Sequence, residues 1–235
     1  MRNLLLVSSS STFGTGYLDH CQDPITDLFA RAAARKILFI PFALKDHETY
    51  AAQATSRFQS MELELDSIHG CTDPVRAIGE AEGLFIGGGN TFRLLDSLYS
   101  LDLIGAIRRR IAEGMPYLGT SAGSNVACPT IMTTNDMPIV QPPSFLALDL
   151  VGFQINAHYL DPDPDSRHMG ETRDTRLREY HEENDTPVVA IREGAMLVVR
   201  GAQVTLGGDS GAKVFRQDRE PRECRPGTRI DLELG

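Results

Sequence analysis

Gly119-Thr120-Ser121-Ala122-Gly123 follows the short apolar run Tyr117-Leu118 and leads into Ser124-Asn125-Val126-Ala127, a segment suited to a first helical turn. A serine between glycines at a strand-to-helix junction is the setting of a nucleophile elbow. Small neighbours permit the tight turn, the hydroxyl is thrust outward, and the helix start leaves backbone N–H groups free beside it. The same pentapeptide could serve as an ordinary turn whose serine caps a helix, so hydrolytic chemistry needs further partners. A second glycine run, Gly87-Gly88-Gly89-Asn90-Thr91, follows the apolar Leu84-Phe85-Ile86. Such a run lets backbone amides turn toward an anion or a developing oxyanion, and Gly89 with Ala122 is the expected pair of donors. The run lacks the lysine of a phosphate-binding loop and the spacing of a dinucleotide fingerprint. No cofactor is expected.

A serine hydroxyl is a poor nucleophile near neutral pH and needs a base. Of six histidines, His158 is the best placed, because it follows the run Phe153-Gln154-Ile155-Asn156 at a strand end. His168 lies in a charged loop and suits a surface or substrate contact, while His20, His47, His69 and His181 sit near helices or turns. A third group, a carboxylate, should fix the imidazole tautomer. Glu193, between Ile191 and Gly194, and Asp136, in Thr133-Thr134-Asn135-Asp136-Met137-Pro138, are both candidates. Local reasoning leaves both open. Cys128 is a rival nucleophile, but a helix after the elbow would carry it into the core, where free cysteines usually sit. His158 with Asp161, Asp163 and Asp165 raises a metal site, yet there is no HExxH motif or close histidine cluster. No metal is expected.

These residues need a frame. Leu4–Val7, Lys36–Ile40, Leu84–Ile86 and Tyr117–Gly119 are short apolar strands, and Leu63–Ile68 alternates. Between them Pro24–Ala34, His47–Met61, Asp73–Ala81 and Leu101–Ala112 carry one-sided helical patterns. Strands alternating with amphipathic helices predict an α/β fold with a mostly parallel sheet covered on both faces, and ligands at the C-terminal strand ends. Farther on, Phe153–Asn156 reads as a strand, Gly170–Glu183 as a charged helix, and Pro187–Arg192, Met196–Arg200 and Val204–Leu206 as strands completing the same sheet. The Arg-, Pro- and Glu-rich stretch Gln217–Gly227 reads as a solvent-facing segment.

A chain of 235 residues with 41% hydrophobic content suits one compact domain over 1–235. Its net charge of −9, with arginines scattered, argues against nucleic acid as a partner. The apolar start is too short for a signal-peptide core, and no run approaches the roughly eighteen apolar residues of a membrane span. A cytoplasmic protein without a membrane partner is expected. Cys21, Cys71, Cys128 and Cys224 lack CxxC spacing and read as buried thiols.

Several longer segments then carry a resemblance: Leu38-Phe39-Ile40-Pro41-Phe42-Ala43, Gly87-Gly88-Gly89-Asn90-Thr91-Phe92, Ser121-Ala122-Gly123, Ala127-Cys128-Pro129-Thr130-Ile131, residues 133–140, Gln154-Ile155-Asn156-Ala157-His158 and Gly170-Glu171-Thr172-Arg173. Over nearly its full length the chain resembles the peptidase E, or alpha-aspartyl dipeptidase, family. That resemblance implies a fold similar to class I glutamine amidotransferases, with serine at the elbow. It also implies Ser121 as nucleophile, His158 as base, Glu193 as orienting acid and Asp136 in support.

The implied substrate is a small peptide with an N-terminal aspartate. Asn90 falls among the implied substrate contacts. A carboxylate-bearing substrate calls for an arginine fork; Arg173 is the first choice, with Arg176 and His168 behind it. Asp136 or Glu171 could meet the free amine. Ala157, where bacterial relatives carry proline, and the acidic run Tyr159–Asp165 depart from the family pattern. Beta-aspartyl or cyanophycin-like peptides are the alternative substrates, and a non-catalytic carboxylate-binding module is the alternative class. Either a monomer or a homodimer fits.

Overall fold

The computed structural model describes residues 1–165, 167 and 169–232. In chain order its elements are β1 (Asn3–Val7), α1 (Gln22–Arg31), β2 (Lys36–Ile40), α2 (His47–Gln59), β3 (Glu64–Ser67), α3 (Pro74–Glu80), β4 (Gly83–Ile86), α4 (Thr91–Ser100), α5 (Leu103–Ala112), β5 (Tyr117–Thr120) and the short α6 (Ala122–Asn125). There follow β6 (Gln154–Asn156), α7 (Arg173–Glu183), β7 (Val188–Ile191), β8 (Ala195–Arg200), β9 (Gln203–Gly208), β10 (Ala212–Arg216) and β11 (Arg219–Cys224). Several helices begin where a side chain accepts a first-turn N–H: Asp46 from Thr49, Asp73 from Arg76, Asn90 from Arg93 and Thr172 from Thr175.

The expected parallel sheet is present, in the order β3-β2-β4-β5-β1, and the β8-β9 hairpin extends it antiparallel beyond β1. Period-two alternation divides its side chains. Leu4, Leu6, Ile40, Ile86 and Tyr117 join the core under α3, α4 and α5, while Leu5, Val7, Phe39, Phe85 and Leu118 pack against α1 and α2. This is a mixed α/β fold with helices on both faces. No helix among the described residues is long and apolar enough to cross a membrane.

Two expectations need correction, and a third segment carries an element that hydrophobic patterning hides. Residues 187–206 do not complete one sheet: β7 leaves for a second, four-stranded sheet in the order β11-β10-β7-β6, and only β8 and β9 return to the first. The pattern over Leu101–Ala112 begins two residues late, because Asp102 (φ 53°) takes a left-handed turn separating α4 from α5. The polar stretch Gln217–Gly227 contains β11, an edge strand paired with β10. Most of its side chains do face solvent, which hides it from hydrophobic patterning.

The second sheet is anchored in two ways. Ile155, Val189 and Ile191 enter the same core as Leu4, Leu6 and Tyr117 of the first sheet. At the rim, Arg192 forks between two carboxylates, Asp161 (2.6 and 2.9 Å) and Glu223 (2.6 and 3.1 Å). Lys213 adds a contact to Asp161 at 2.9 Å and donates to the Tyr159 hydroxyl at 2.8 Å, and Tyr159 in turn donates to Asp174. Burial, then the bond to Asp174, pushes the Tyr159 hydroxyl up to about 12. The cluster clips the chain just beyond residue 158 onto β7, β10 and β11.

Hydrogen bonds from Arg192, and after them from Lys213, outweigh burial and hold the Asp161 carboxyl well below its ordinary value of 3.8. A carboxylate whose folded pKa is depressed contributes stability that is complete above its unfolded value and fades as pH falls below it. The Asp161 side chain is 47% exposed, so solvent screening keeps the effect modest. D161N should therefore melt below wild type at neutral pH, and the gap should narrow as pH falls below about 4. Thermal melts across that range check it; equal melting at pH 7 would remove the cluster from any part in stability.

Candidate active site

Ser121 sits directly after β5 with φ 49° and ψ −108°, a left-handed backbone that a non-glycine residue adopts only when its surroundings force it. Its N–H donates to Val7 O at 2.9 Å, and its carbonyl accepts from Ser124 N–H (2.9 Å) and Asn125 N–H (3.0 Å). The flanking glycines are required by close approach. A Cβ on Gly119 would lie 2.6 Å from the Gly123 carbonyl oxygen, and one on Gly123 would overlap the Ile86 carbonyl. Tyr117 Oη donates to Gly123 O at 2.6 Å, and Ser124 Oγ reaches Val7 O and Gly119 O at 2.8 and 2.9 Å. The Ser121 side chain makes no cap bond to α6, so the ordinary helix-cap reading of this motif does not describe it.

The hydroxyl points to His158 instead. Ser121 Oγ and His158 Nε2 are 2.9 Å apart, and His158 Nδ1 and Glu193 Oε1 are also 2.9 Å apart. With a proton on Nδ1 directed at the carboxylate, the Nε2 lone pair faces the serine O–H. The His158 side chain is 40% exposed and that of Glu193 53%, so a small solute reaches the line from solvent. His158 follows β6, also with positive φ (52°), and Glu193 occupies the turn where the chain passes from β7 to β8.

The glycine loop runs against the elbow. A Cβ on Gly88 would come within 3.1 Å of Ser121 Cβ. Gly87 N–H donates to Ile40 O and Asn90 N–H to Ala43 O, and these bonds bracket Gly88 and Gly89. Gly89 has φ 134°, and a Cβ there would sit 2.6 Å from Ala43 O, so the position demands glycine. Ala122 opens α6, so its N–H has no partner within the helix.

Asp136 lies elsewhere. Its Oδ2 accepts from Thr91 N–H (2.7 Å), Thr91 Oγ1 (2.5 Å) and Thr134 Oγ1 (3.3 Å) rather than from the imidazole. It fastens the 133–137 loop to the start of α4. Asn90 is similarly engaged: Oδ1 caps α4, and Nδ2 donates to Met137 O at 2.9 Å. Arg173 begins α7 and lines a cavity of about 410 Å³ with Leu160, Asp161, Glu171, Thr172 and Arg176. Among the described residues no carboxylate pairs with Arg173; burial, then nearby Arg176, lowers its pKa. Glu171 is exposed and lies 3.5 Å from Arg176. His168 lies outside the described residues.

Cys128 is buried, its thiol directed at Ser124 O (3.6 Å), and burial pushes its pKa up, which suppresses the nucleophilic thiolate. Asp161 is committed to Arg192 and Lys213, and among the described residues no group of three or more metal-binding side chains comes together. Sequence reasoning missed Ser8, Tyr117 and Arg192. Ser8 stands in a run of serines, Tyr117 in an apolar strand and Arg192 among scattered arginines, so none carries a local signal.

An aligned hydroxyl, imidazole and carboxylate at the start of a helix can perform acyl transfer through a covalent intermediate. The profile of peptidase family S51 matches residues 4–207. The chain is 50% identical over 226 residues to peptidase E of Streptomyces coelicolor, covering 96% of this chain and 92% of that protein. It is 47% identical over 226 residues to a Drosophila melanogaster protein named probable alpha-aspartyl dipeptidase, covering 96% and 94%. The crystal structure of a peptidase from an acI-B1 actinobacterium superposes with a TM-score of 0.75 at 17% identity, over 98% of this chain and 96% of that one. That last likeness speaks for the fold alone.

Proposed function

The chain belongs to peptidase family S51, and from that membership we propose that it is a serine dipeptidase cleaving the bond after an N-terminal aspartyl residue. The observation that carries this reading is His158 held between Ser121 Oγ and Glu193 Oε1 at 2.9 Å on each side. His158 takes the Ser121 proton as the oxygen attacks the aspartyl carbonyl. The oxyanion forms against the Gly89 and Ala122 amides, where one good donor is worth about 3 kcal/mol of barrier. The C–N bond then breaks as His158 returns the proton to the leaving amine. Water, deprotonated by the same imidazole, hydrolyses the acyl-enzyme and frees Ser121. Glu193 holds the ring and balances its transient positive charge.

Arg173 suits the aspartyl carboxylate. It is a half-buried cation without a carboxylate partner among the described residues, in a cavity beginning two residues past His158. Asp136 acts at one remove, by holding Thr91 and with it the glycine loop. The name of the Drosophila relative, probable alpha-aspartyl dipeptidase, supports peptides with an N-terminal alpha-linked aspartate over the beta-aspartyl alternative.

Matched Asp-Xaa, Asn-Xaa and beta-aspartyl dipeptides test the reading directly. S121A should lose at least about a thousandfold in kcat, and robust turnover by it would end the serine assignment. R173A should raise KM for Asp-Xaa by about 10- to 100-fold, the worth of hydrogen bonds to a charged group, and erase the preference over Asn-Xaa.

The two acids should separate by what each loss costs. E193Q should lower kcat by about a hundredfold or more while melting near wild type, since the Glu193 side chain is half exposed. D136A should cost about 1–3 kcal/mol of stability by orphaning the Thr91 N–H, and lower kcat by less than E193Q does. A kcat loss of about a hundredfold in D136A with near-wild-type turnover by E193Q would reverse the roles.

A further inference from the structure

We propose that Ser8 is a positioning residue for this site, its buried hydroxyl aiming the His158 imidazole by joining the His158 N–H to the Ile191 carbonyl. The proposal rests on the reading of Ser121, His158 and Glu193 given above. Ser8 follows β1 and is 0% exposed. Its Oγ accepts from His158 N–H at 2.9 Å and donates to Ile191 O at 2.9 Å, using the hydroxyl in both senses.

The bridge explains the backbone at His158. The β6–β7 ladder ends at the pair Asn156 and Ala190. Past that point Tyr159 N–H reaches Ile191 O directly, at 3.1 Å, while His158 N–H reaches it only through the Ser8 hydroxyl. Inserting one oxygen between two strands splays them, and the chain answers with φ 52° at His158. A regular extended residue there would point its side chain out of one face of the sheet; at φ 52° the ring instead lies 2.9 Å from Ser121 Oγ. On the other flank Asn135 Nδ2 grips Ala157 O at 2.6 Å, so the peptide before His158 is fixed as well.

Ser8 also touches the rest of the line. Its own N–H donates to Ala195 O at 3.1 Å, and Ile191 and Ala195 bracket Glu193 by two residues on each side. Val7, its neighbour, accepts the Ser121 N–H. The end of β1 thus meets the backbone that carries all three side chains, without being among the cavity-lining residues around Arg173.

The test compares S8A with wild type on an Asp-Xaa dipeptide, reading kcat and KM separately. Glu193, from the β7–β8 turn, is the carboxylate facing the imidazole, and Ser121 faces it from the elbow. I25A, in the core under α1 on the far face of the sheet, controls for general destabilisation. Misplacing a reacting group by about 1 Å can cost a hundredfold, so S8A should lose about 10- to 100-fold in kcat with KM within about twofold. I25A should leave both kcat and KM within about twofold of wild type.

If S8A does not fold, S8C, which keeps the side-chain shape with a slightly larger, weakly hydrogen-bonding thiol, should show the same pattern in smaller measure. A kcat for the folded variant within about threefold of wild type, against the 10- to 100-fold expected of a misaimed base, overturns the proposal. So does an equal loss of kcat in I25A, or a loss in S8A carried by KM and not by kcat. Turnover by S121A in the same assay would instead bring down the reading beneath it, and this inference with it.

Discussion

Ser121 cannot reach its neighbours from a relaxed backbone. At φ 49° and ψ −108° it stores on the order of 1–3 kcal/mol of strain, which persists only where the surroundings over-determine the conformation. Here several backbone groups around the residue are engaged. Val7 O takes both the Ser121 N–H and the Ser124 hydroxyl, Tyr117 Oη holds Gly123 O, and two helical amides converge on the Ser121 carbonyl. The glycines on either side let β5 and α6 approach more closely than any Cβ allows. Relaxing the strain would require breaking several buried hydrogen bonds together, so the hydroxyl stays aimed outward and is not drawn into the cap of α6.

The imidazole meets the hydroxyl from a different sheet, and this sets a second constraint. Ser121 hangs from the first sheet, His158 from the second, and Glu193 stands in the turn between them. Two 2.9 Å contacts therefore measure how the two sheets are docked. That docking depends on a shared core in which Ile155, Val189 and Ile191 pack with Leu4, Leu6 and Tyr117, all essentially without exposed surface. Close-packed interiors transmit displacement instead of absorbing it. A change in this shared core, at Ile155, Val189 or Ile191, can thus be felt as a misaligned base.

Much of the first sheet was legible in the sequence, because β1, β2, β4 and β5 are short apolar runs separated by one-sided helices, and both signals are local. The second sheet was not. Val188–Ile191 is as apolar as any strand of the first sheet, and nothing in four residues says which sheet will take it. β11 had no apolar face to betray it. The site divides in the same way: Ser121 and the glycine loop announce themselves by local spacing, and His158 by its position after a strand. Glu193 and Asp136 both follow plausible loops, and only three-dimensional placement directs one to the imidazole and the other to Thr91. Ser8 is one of four consecutive serines, distinguished by partners about 150 and 183 residues away in the chain.

Charge is arranged to an end that composition alone conceals. A chain of net charge −9 should repel an anionic peptide at long range, so any attraction must be local. Near residue 158 the cations divide into two kinds. Arg192 and Lys213 are saturated by Asp161, Glu223 and Asp174, and their charge is spent on binding the second sheet together. Arg173, on α7, keeps no carboxylate among the described residues, and burial raises the cost of leaving its charge unanswered. A carboxylate entering that cavity would displace little and relieve that cost, whereas one approaching Arg192 would have to compete with two acids already in place. Position in the sequence does not distinguish these arginines; the partners each has already taken do.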